Sequence, residues 1–415
     1  MNVFVLNTGS SSVKFQIINT DLELFETDSD EMVAKGLIER IGQKDAIFTL
    51  EAVGSEAVKG TEPILDHREA ILKIKKWVES KDTKIKRISG WSDINAIGHR
   101  LVHGGEKFTR SILITPEVIE KMEEFSDLAP LHNPANLKGV AACSEIFPSS
   151  VPQVGVFDTA FHSTMPAESY LYSIPYEFYE KYRIRRYGFH GTSHRYVAYR
   201  YRKLTGTSRE NTNIITIHLG NGSSMTAIKN GYSIFNSMGM TPVEGLIMGT
   251  RSGDIDAGII EYLYRKGIGQ LPDIMSILQK KSGMLGISGV SNDMRDIEKA
   301  VEEGNKRAQL ALKMFALRVK KYIGACFAQM GGADAIVFTG GIGENDFIAR
   351  DMICEGLERL GIEIDKEINK EVYKGKCMKI SKETSHCHIW VIPTNEELVI
   401  ARDTVRVIKD APREW

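Results

Sequence analysis

Four things are scarce in this sequence, and each scarcity excludes a class of protein. The 415 residues hold only five cysteines, at positions 143, 326, 354, 377 and 387, and none are spaced as CxxC. An odd, scattered set suits neither a disulfide framework nor a zinc ribbon, and it fits a reducing compartment. Charge of one sign is also missing: 53 basic and 54 acidic residues leave a formal net charge of -1. There is no basic excess for nucleic acid and no acidic tail. No apolar run approaches the ~18 residues of a membrane span, and the first residues lack the basic-then-apolar pattern of a secretory leader. The expectation is a cytoplasmic protein with a small-molecule partner, no nucleic acid and no membrane. With 42% hydrophobic residues over 415 positions, the chain exceeds what one core comfortably serves, so two domains are expected.

What is present begins with a glycine- and serine-rich turn between two apolar strands. Val3, Phe4, Val5 and Leu6 lead through Asn7, Thr8, Gly9, Ser10, Ser11 and Ser12 to Val13, Lys14, Phe15, Gln16, Ile17 and Ile18. That pattern predicts a β-hairpin. A similar unit recurs at 214–228, where the turn is Gly220, Asn221, Gly222, Ser223 and Ser224. Setting Gly9 on Gly222 also pairs Leu6 with Leu219, Ser10 with Ser223 and Ser11 with Ser224. A duplicated βββαβ unit would produce this. A third glycine turn, TGGIGEN at 339–345, follows the apolar strand 335–338 and precedes a predicted helix from about 347 to 360. Leu310, Ala311, Met314 and Phe315 recur at helical spacing and read as plain core. Residues 20–90 are charged and weakly patterned, and no function is read there.

Three such turns suggest polyphosphate binding, because backbone N–H groups in tight turns cradle anions and glycine lets the backbone approach closely. Neither GxxxxGKS/T nor GxGxxG occurs, which excludes a P-loop and argues against a dinucleotide fold. Lys14 can reach a phosphate as a point charge, or be a solvated strand lysine. Asn7 can hold a metal-bound water, or simply shape the turn. Arg100 and Arg251 lie among small residues, where a guanidinium fork suits carboxylate and phosphate oxygens; an interdomain ion pair is the even-odds alternative. His190 and His194 have i, i+4 spacing but no HExxH glutamate and no third ligand, so donation from His190 to a phosphoryl oxygen is the better use than zinc. His386 and His388 flank Cys387 in a predicted strand, more often an exposed strand than a metal site. Asp158 and the Glu396-Glu397 pair each follow an apolar strand, a placement common for magnesium-linked acids. Asn395 can equally be the N-cap of a helix whose first turn Glu397 merely charge-matches.

Residues 3–14, VFVLNTGSSSVK, and 214–231, IITIHLGNGSSMTAIKNG, resemble the two signatures of the acetate kinase (acetokinase) family. GHRLVHGGEKF, LAPLHNPAN, VFDTAFHSTMP, YGFHGTSH, SMGMTPVEGLIMGTR, FTGGIGEN and IPTNEEL resemble its further blocks in the same order. The resemblance runs to about residue 405 and is least distinctive at 20–90 and 365–390. It implies an α/β chain with the two-domain fold of acetate and sugar kinases, Hsp70 and actin: a duplicated βββαβ core, an interdomain cleft and a homodimer. The domains are expected at 1–158 plus 398–415, and at 159–397. By resemblance, Asn7 and Glu397 handle Mg²⁺ (or Mn²⁺), and Lys14, Ser10 and Ser12 lie near the phosphates. His218, Leu219, Gly220, Asn221 and Gly222 bind ATP phosphate. Asp293, Met294 and Arg295, with Gly341, Ile342, Gly343, Glu344 and Asn345, surround the adenosine. Arg100 and Arg251 hold the carboxylate and the transferred group, His190 stabilises the transition state and Asp158 is an essential acid. Val102, Leu131, Phe189 and Pro242 line the methyl pocket, where valine leaves less room than the smaller residue of propionate-preferring relatives.

The implied reaction is reversible, in-line transfer of the ATP γ-phosphoryl group to acetate, giving acetyl phosphate and ADP. The acceptor carboxylate is already ionised at neutral pH, so no general base is needed, and Asp158 is expected to orient metal, water or Arg100. The nearest alternative is a propionate or other short-chain acyl kinase. From a different class, an ATP-gated chaperone-like or filament protein shares the fold but has no use for the arginine and histidine blocks.

Overall fold

The structure, a computed structural model, describes residues 1–130, 132–373 and 375–412. Its contacts divide the chain into two units, Met1–Phe161 with Asn395–Trp415, and His162–Thr394. Glu396 and Glu397 therefore belong with the first unit, although the division drawn from sequence set them in the second.

In the first unit, strand β1 (Asn2–Thr8) is buried on both faces, and so reads as a continuous apolar run. It pairs antiparallel with β2 (Ser12–Asn19) and parallel with β6 (Ala96–Leu101). With β3 (Glu31–Glu39), β4 (Gln43–Ala52), β5 (Val58–Ile64), β7 (Ile112–Leu113) and β8 (Gln153–Phe157), the sheet order is β5-β4-β3-β2-β1-β6-β8-β7. Phe4, Leu6, Phe15, Ile17 and Ile97 pack on one face, against helices His67–Val78 and Asn133–Ile146. Val3, Val5, Ile18, Val154 and Val156 pack on the other, against Ile400, Ala401 and Val405 of the C-terminal helix Glu396–Lys409. Residues 20–90, featureless by pattern, thus supply three strands and two helices, Leu22–Thr27 and His67–Val78, of this unit.

β6 admits the C-terminal helix because it carries Gly98. A Cβ there would lie 2.5 Å from Thr404 Oγ1 and 2.7 Å from Ile400 Cγ2. Asn395 caps this helix as expected, its Oδ1 accepting Leu398 N at 3.0 Å. Arg402, buried in the same helix, donates to Asp28 at 2.8 Å and pairs with Asp30.

The second unit repeats the topology. β9 (Ile214–Leu219), β10 (Ser223–Lys229), β11 (Tyr232–Asn236), β12 (Ala335–Thr339), β13 (Met378–Lys379) and β14 (His388–Val391) take the order β11-β10-β9-β12-β14-β13. β12 and β14 run parallel to β9, as β6 and β8 run parallel to β1. Ile215, Ile217, Leu219, Met225 and Ala227 face the long helix Lys306–Met330 and its neighbours. Thr216, His218, Ser224 and Thr226 point to the opposite face by strand alternation, where helix Gly191–Thr205 lies.

Three expectations need correction. The repeat is offset by two residues: β1 and β9 end at Thr8 and Leu219, and β2 and β10 begin at Ser12 and Ser223. Gly9 therefore corresponds to Gly220, not Gly222. Shared serines favour another register, while the strand ends, with three residues in each turn, give this one. The third glycine segment is a short helix, Gly340–Asn345, and the helix after it ends at Cys354 before a separate turn Glu358–Leu360. In the long helix the buried stripe is Ala308, Ala311, Leu312, Phe315, Ala316 and Val319, leaving Leu310 and Met314 exposed.

Gly98→Ala is expected to destabilise the first unit by about 1–3 kcal/mol through overpacking, seen as a lower urea midpoint. An unchanged midpoint would mean that the C-terminal helix does not bear on β6 as described.

Candidate active site

Strand register builds the charged row of the first unit. Asn7 stands opposite Lys14 on one side and Arg100 on the other. All three project from the face that carries the C-terminal helix, whose first turn brings Glu396 and Glu397 to them. Lys14 Nζ pairs with Glu397 Oε1. Asp158, just past β8 and 2% exposed, takes two bonds from Arg100, 3.1 Å from Nε and 2.6 Å from a terminal nitrogen. Glu396 lies 3.7 Å from Arg100 Nε. Burial alone would lower the Arg100 pKa, but the charges of Asp158, Glu396 and Glu397 outweigh it and hold the guanidinium above its ordinary value. Burial raises the Glu396 carboxyl, opposed by Arg100 and reinforced by Asp158 and Glu397. Ser10 is exposed and Ser12 half-buried at the hairpin turn, and Val102 donates its N–H to Asn136 Oδ1 at 2.9 Å. Leu131 lies outside the described residues.

The oxygen donors here suit a hard cation. Asn7, Asp158 and Glu397 are the oxygen types that Mg²⁺ takes alongside water and phosphate, and a lysine ammonium rests on Glu397. Among the described residues no group of three or more His, Cys, Asp or Glu could hold a metal, and an ion that draws most of its ligands from nucleotide and water does not require one.

In the second unit, the turn between β9 and β10 meets two catalytic candidates. A Cβ placed on Gly222 would lie 3.4 Å from both His190 Nε2 and an Arg251 terminal nitrogen. His190 precedes helix Gly191–Thr205 in the left-handed region, at φ 58°. Its Nδ1 is 2.9 Å from Ser224 Oγ. Its ring lies 4.4 Å from that of His218, whose Nδ1 is 2.8 Å from Ser193 Oγ. Arg251 donates to the Pro242 carbonyl at 2.8 Å. Both ring nitrogens of His194 are engaged, at 2.7 Å from Thr216 Oγ1 and 2.7 Å from Ser224 Oγ. Phe189 is buried, and Leu219 turns its side chain into the core.

Beside that turn, still within the second unit, lies a cavity of about 490 Å³. Gly220, Asn221, Asp293, Met294, Arg295, Gly341, Ile342 and Asn345 line it, so most of the residues assigned to adenosine meet there. Gly343 is buried instead. Glu344 spends its carboxylate on Gly340 N at 2.9 Å and Thr394 N at 3.0 Å, which pins the short helix. The sequence reading missed Asn292, Glu298, Asp346, Phe347 and Ile348, which also line the cavity. Asn292 adjoins the 293–295 segment and was within reach; Glu298 sits one helical turn beyond Met294, a spacing that carried no signal by itself.

Glu298 and Asp346 form an acid pair in the cavity wall. Burial raises Glu298, and the neighbouring Asp346 charge adds to it, up to about 8. Burial raises Asp346 too. Glu298 Oε1 and Asp346 Oδ2 are buried and meet no donor among the described groups, so a proton shared between the carboxyls resolves the conflict. Glu302 and Asp293 add negative charge to Glu298, while Arg350 opposes it at Asp346.

A two-unit α/β chain with a duplicated strand core, a phosphate-type turn and a nucleotide-sized cavity has the fold class of acetate and sugar kinases, Hsp70 and actin. The chain belongs to the acetokinase family, whose model matches residues 2–402; members are kinases with a carboxyl group as acceptor and ATP and ADP as substrates. It is 52% identical to an acetate kinase from Chloroherpeton thalassium over 98% of this chain and 99% of that one. The crystal structure of Porphyromonas gingivalis acetate kinase matches with a TM-score of 0.91 at 47% identity, covering 98% of this chain and 99% of that one. A propionate kinase structure from Francisella tularensis matches at 0.89 and 40% identity, covering 99% and 100%.

An acid whose pKa is raised on folding keeps a proton that the unfolded chain has released. Its contribution to stability therefore falls as pH rises from about 4.5 towards about 8. Glu298→Gln should melt higher than the parent at pH 8, with the gap closing towards pH 5. A gap independent of pH would rule out the shared proton.

Proposed function

We propose that this chain transfers the γ-phosphoryl group of ATP to acetate, giving acetyl phosphate and ADP, in a direct and reversible step. Two observations carry the reading, each within its own unit: Arg251 and His190 both approach Gly222 in the second, and Asp158 fixes Arg100 in the first. The difficulty in this reaction is bringing one anion to another, so the site must neutralise charge and align the reactants rather than move a proton. Arg100, oriented through Asp158, holds the acetate carboxylate. Arg251 and His190 act on the transferred group, His218 and the 220–222 turn on the remaining phosphates, and the 490 Å³ cavity on the nucleoside. Asn7 and Glu397 hold Mg²⁺, or Mn²⁺ in its place, which supplies charge neutralisation at the phosphates. Lys14, now on Glu397, is the further cation for them.

Val102, Phe189 and Pro242 serve the methyl group, so propionate is a poorer substrate by the ~1–3 kcal/mol that one methylene commands. The protein acts in the cytoplasm, which suits its free cysteines; among the described residues no helix is long and apolar enough to cross a membrane. It works as a homodimer. Helix Gly258–Arg265 buries none of its residues, and Ile259, Tyr262 and Tyr264 on it are exposed beside Ile255, Ile268 and Leu271. Exposed apolar side chains concentrated in one segment of this kind suit an association face.

Two measurements test this. With MgATP and hydroxylamine, acetate should give the strongest acyl hydroxamate, propionate less and glycerol none; ADP release with glycerol but no hydroxamate would overturn the acceptor. Because Arg100→Ala would strand the buried Asp158 carboxylate, Arg100→Lys is the cleaner variant. It keeps the charge and loses the fork, and should raise the acetate KM and lower kcat by about 10²–10³-fold. For the dimer, Tyr262→Asp should shift sedimentation towards the mass of one chain; the same sedimentation as the parent would place the interface elsewhere.

A further inference from the structure

Behind His190 runs a chain of hydrogen bonds that the transfer reaction does not itself require. His190 Nδ1 lies 2.9 Å from Ser224 Oγ. The same oxygen lies 2.7 Å from His194 Nε2, and His194 Nδ1 lies 2.7 Å from Thr216 Oγ1. Ser224, His194 and Thr216 are fully buried. They stand on the polar face of β9 and β10 and on the helix opposite, with no apolar reason to be there.

Proton counting limits what this chain can hold. Burial, with His162 and His218 nearby, keeps the His194 pKa well below its ordinary value, so that ring is neutral and carries one proton. Ser224 has one hydroxyl proton and two ring nitrogens to satisfy, so it donates to one and accepts from the other. If His194 carries its proton on Nε2, Ser224 accepts that proton and donates to His190 Nδ1. Thr216 then donates to His194 Nδ1. A neutral His190 must in that case carry its proton on Nε2, the atom at 3.4 Å from the Gly222 Cβ direction alongside Arg251. The reverse arrangement leaves a neutral His190 with a bare lone pair at that point, repelling any phosphoryl oxygen. The forward arrangement offers a donor without adding a second positive charge beside the guanidinium.

We propose that Ser224, His194 and Thr216 are positioning residues that hold His190 as the neutral Nε2–H tautomer, so that it donates to the transferred phosphoryl group without being charged. This rests on the reading that His190 acts on that group. The same logic governs histidines whose second nitrogen is fixed by an outer partner.

The test uses full-length protein labelled with ¹⁵N-histidine, in which ring nitrogen shifts report the tautomer directly, with His190→Gln and His194→Gln assigning the signals. At pH 8, His190 and His194 should both show a bare Nδ1 and a protonated Nε2. Ser224→Ala should disturb the His190 signal and lower kcat about 10–100-fold, with the KM values for ATP and acetate within about twofold. Thr216→Val, which keeps the shape and removes the last donor, should move the same signals and lower kcat less; it serves as the second variant if Ser224→Ala fails to fold. A proton on His190 Nδ1 in the neutral ring, or full kcat in both variants, would overturn the relay. Full kcat in His190→Gln would instead overturn the role of His190 itself.

Discussion

The site in the first unit depends on a helix made some three hundred residues after the strand it covers. β1, β6 and β8 present one apolar face on which residues 1–161 place Phe25 and the edge of Met32, short of covering it. The C-terminal helix covers it, and can only because Gly98 leaves room for Ile400 and Thr404. Burying Ile400, Ala401 and Val405 there fixes the height and rotation of the helix, and the buried Arg402 with Asp28 and Asp30 fixes it further. Its first turn is thereby set against the Lys14, Asn7, Arg100 row. Fitting one methylene-sized space on a strand decides where two carboxylates sit at the site.

The second unit solves a different problem. Its central strands are apolar on one face and polar on the other, and the polar face does not look into water. It packs on helix Gly191–Thr205 through histidine, serine and threonine side chains that saturate one another. A buried network of this kind is costly when incomplete and rigid when complete. Rigidity is what charge stabilisation in phosphoryl transfer needs, since donors that must reorient lose much of their effect. The acid pair of Glu298 and Asp346 follows another logic, tolerating buried carboxyls by sharing a proton beside the cavity.

Much of this was legible in the residues. The paired glycine–serine turns announced the duplicated core, and the arginine, histidine and acid blocks announced the chemistry. Apolar strands ending in a polar residue mark a site in a sheet edge-on to its ligand, which is why Asn7, Arg100 and Asp158 could be picked out, whereas His218 came from the family resemblance alone. What escaped were relations set by tertiary register. Shared serines suggested Gly9 for Gly222, whereas the strand ends give Gly220. Leu310 and Met314 have helical spacing to Phe315 but fall off the buried stripe, since spacing tells which residues share a face and not which face is inward. Gly340–Asn345 looked like a loop because glycine is a poor helix former; the Glu344 carboxylate holds it helical through backbone bonds that no local propensity reports. Glu298 and Ser224 matter only through partners distant in the chain.

The interleaving of the first unit also bears on how the protein is made. A ribosome delivers the chain from its N-terminus, and domains generally fold as they emerge. The sheet of β1 to β8 can assemble on helices His67–Val78 and Asn133–Ile146 while the second unit is still being synthesised. One face of that sheet then waits, apolar and without its main cover, until residues 395–409 leave the exit tunnel. The second unit has no such debt and closes on its own strands. A nascent chain stalled in between would carry a finished second unit and a sticky, unfinished first one, the state in which a holdase would find something to grip.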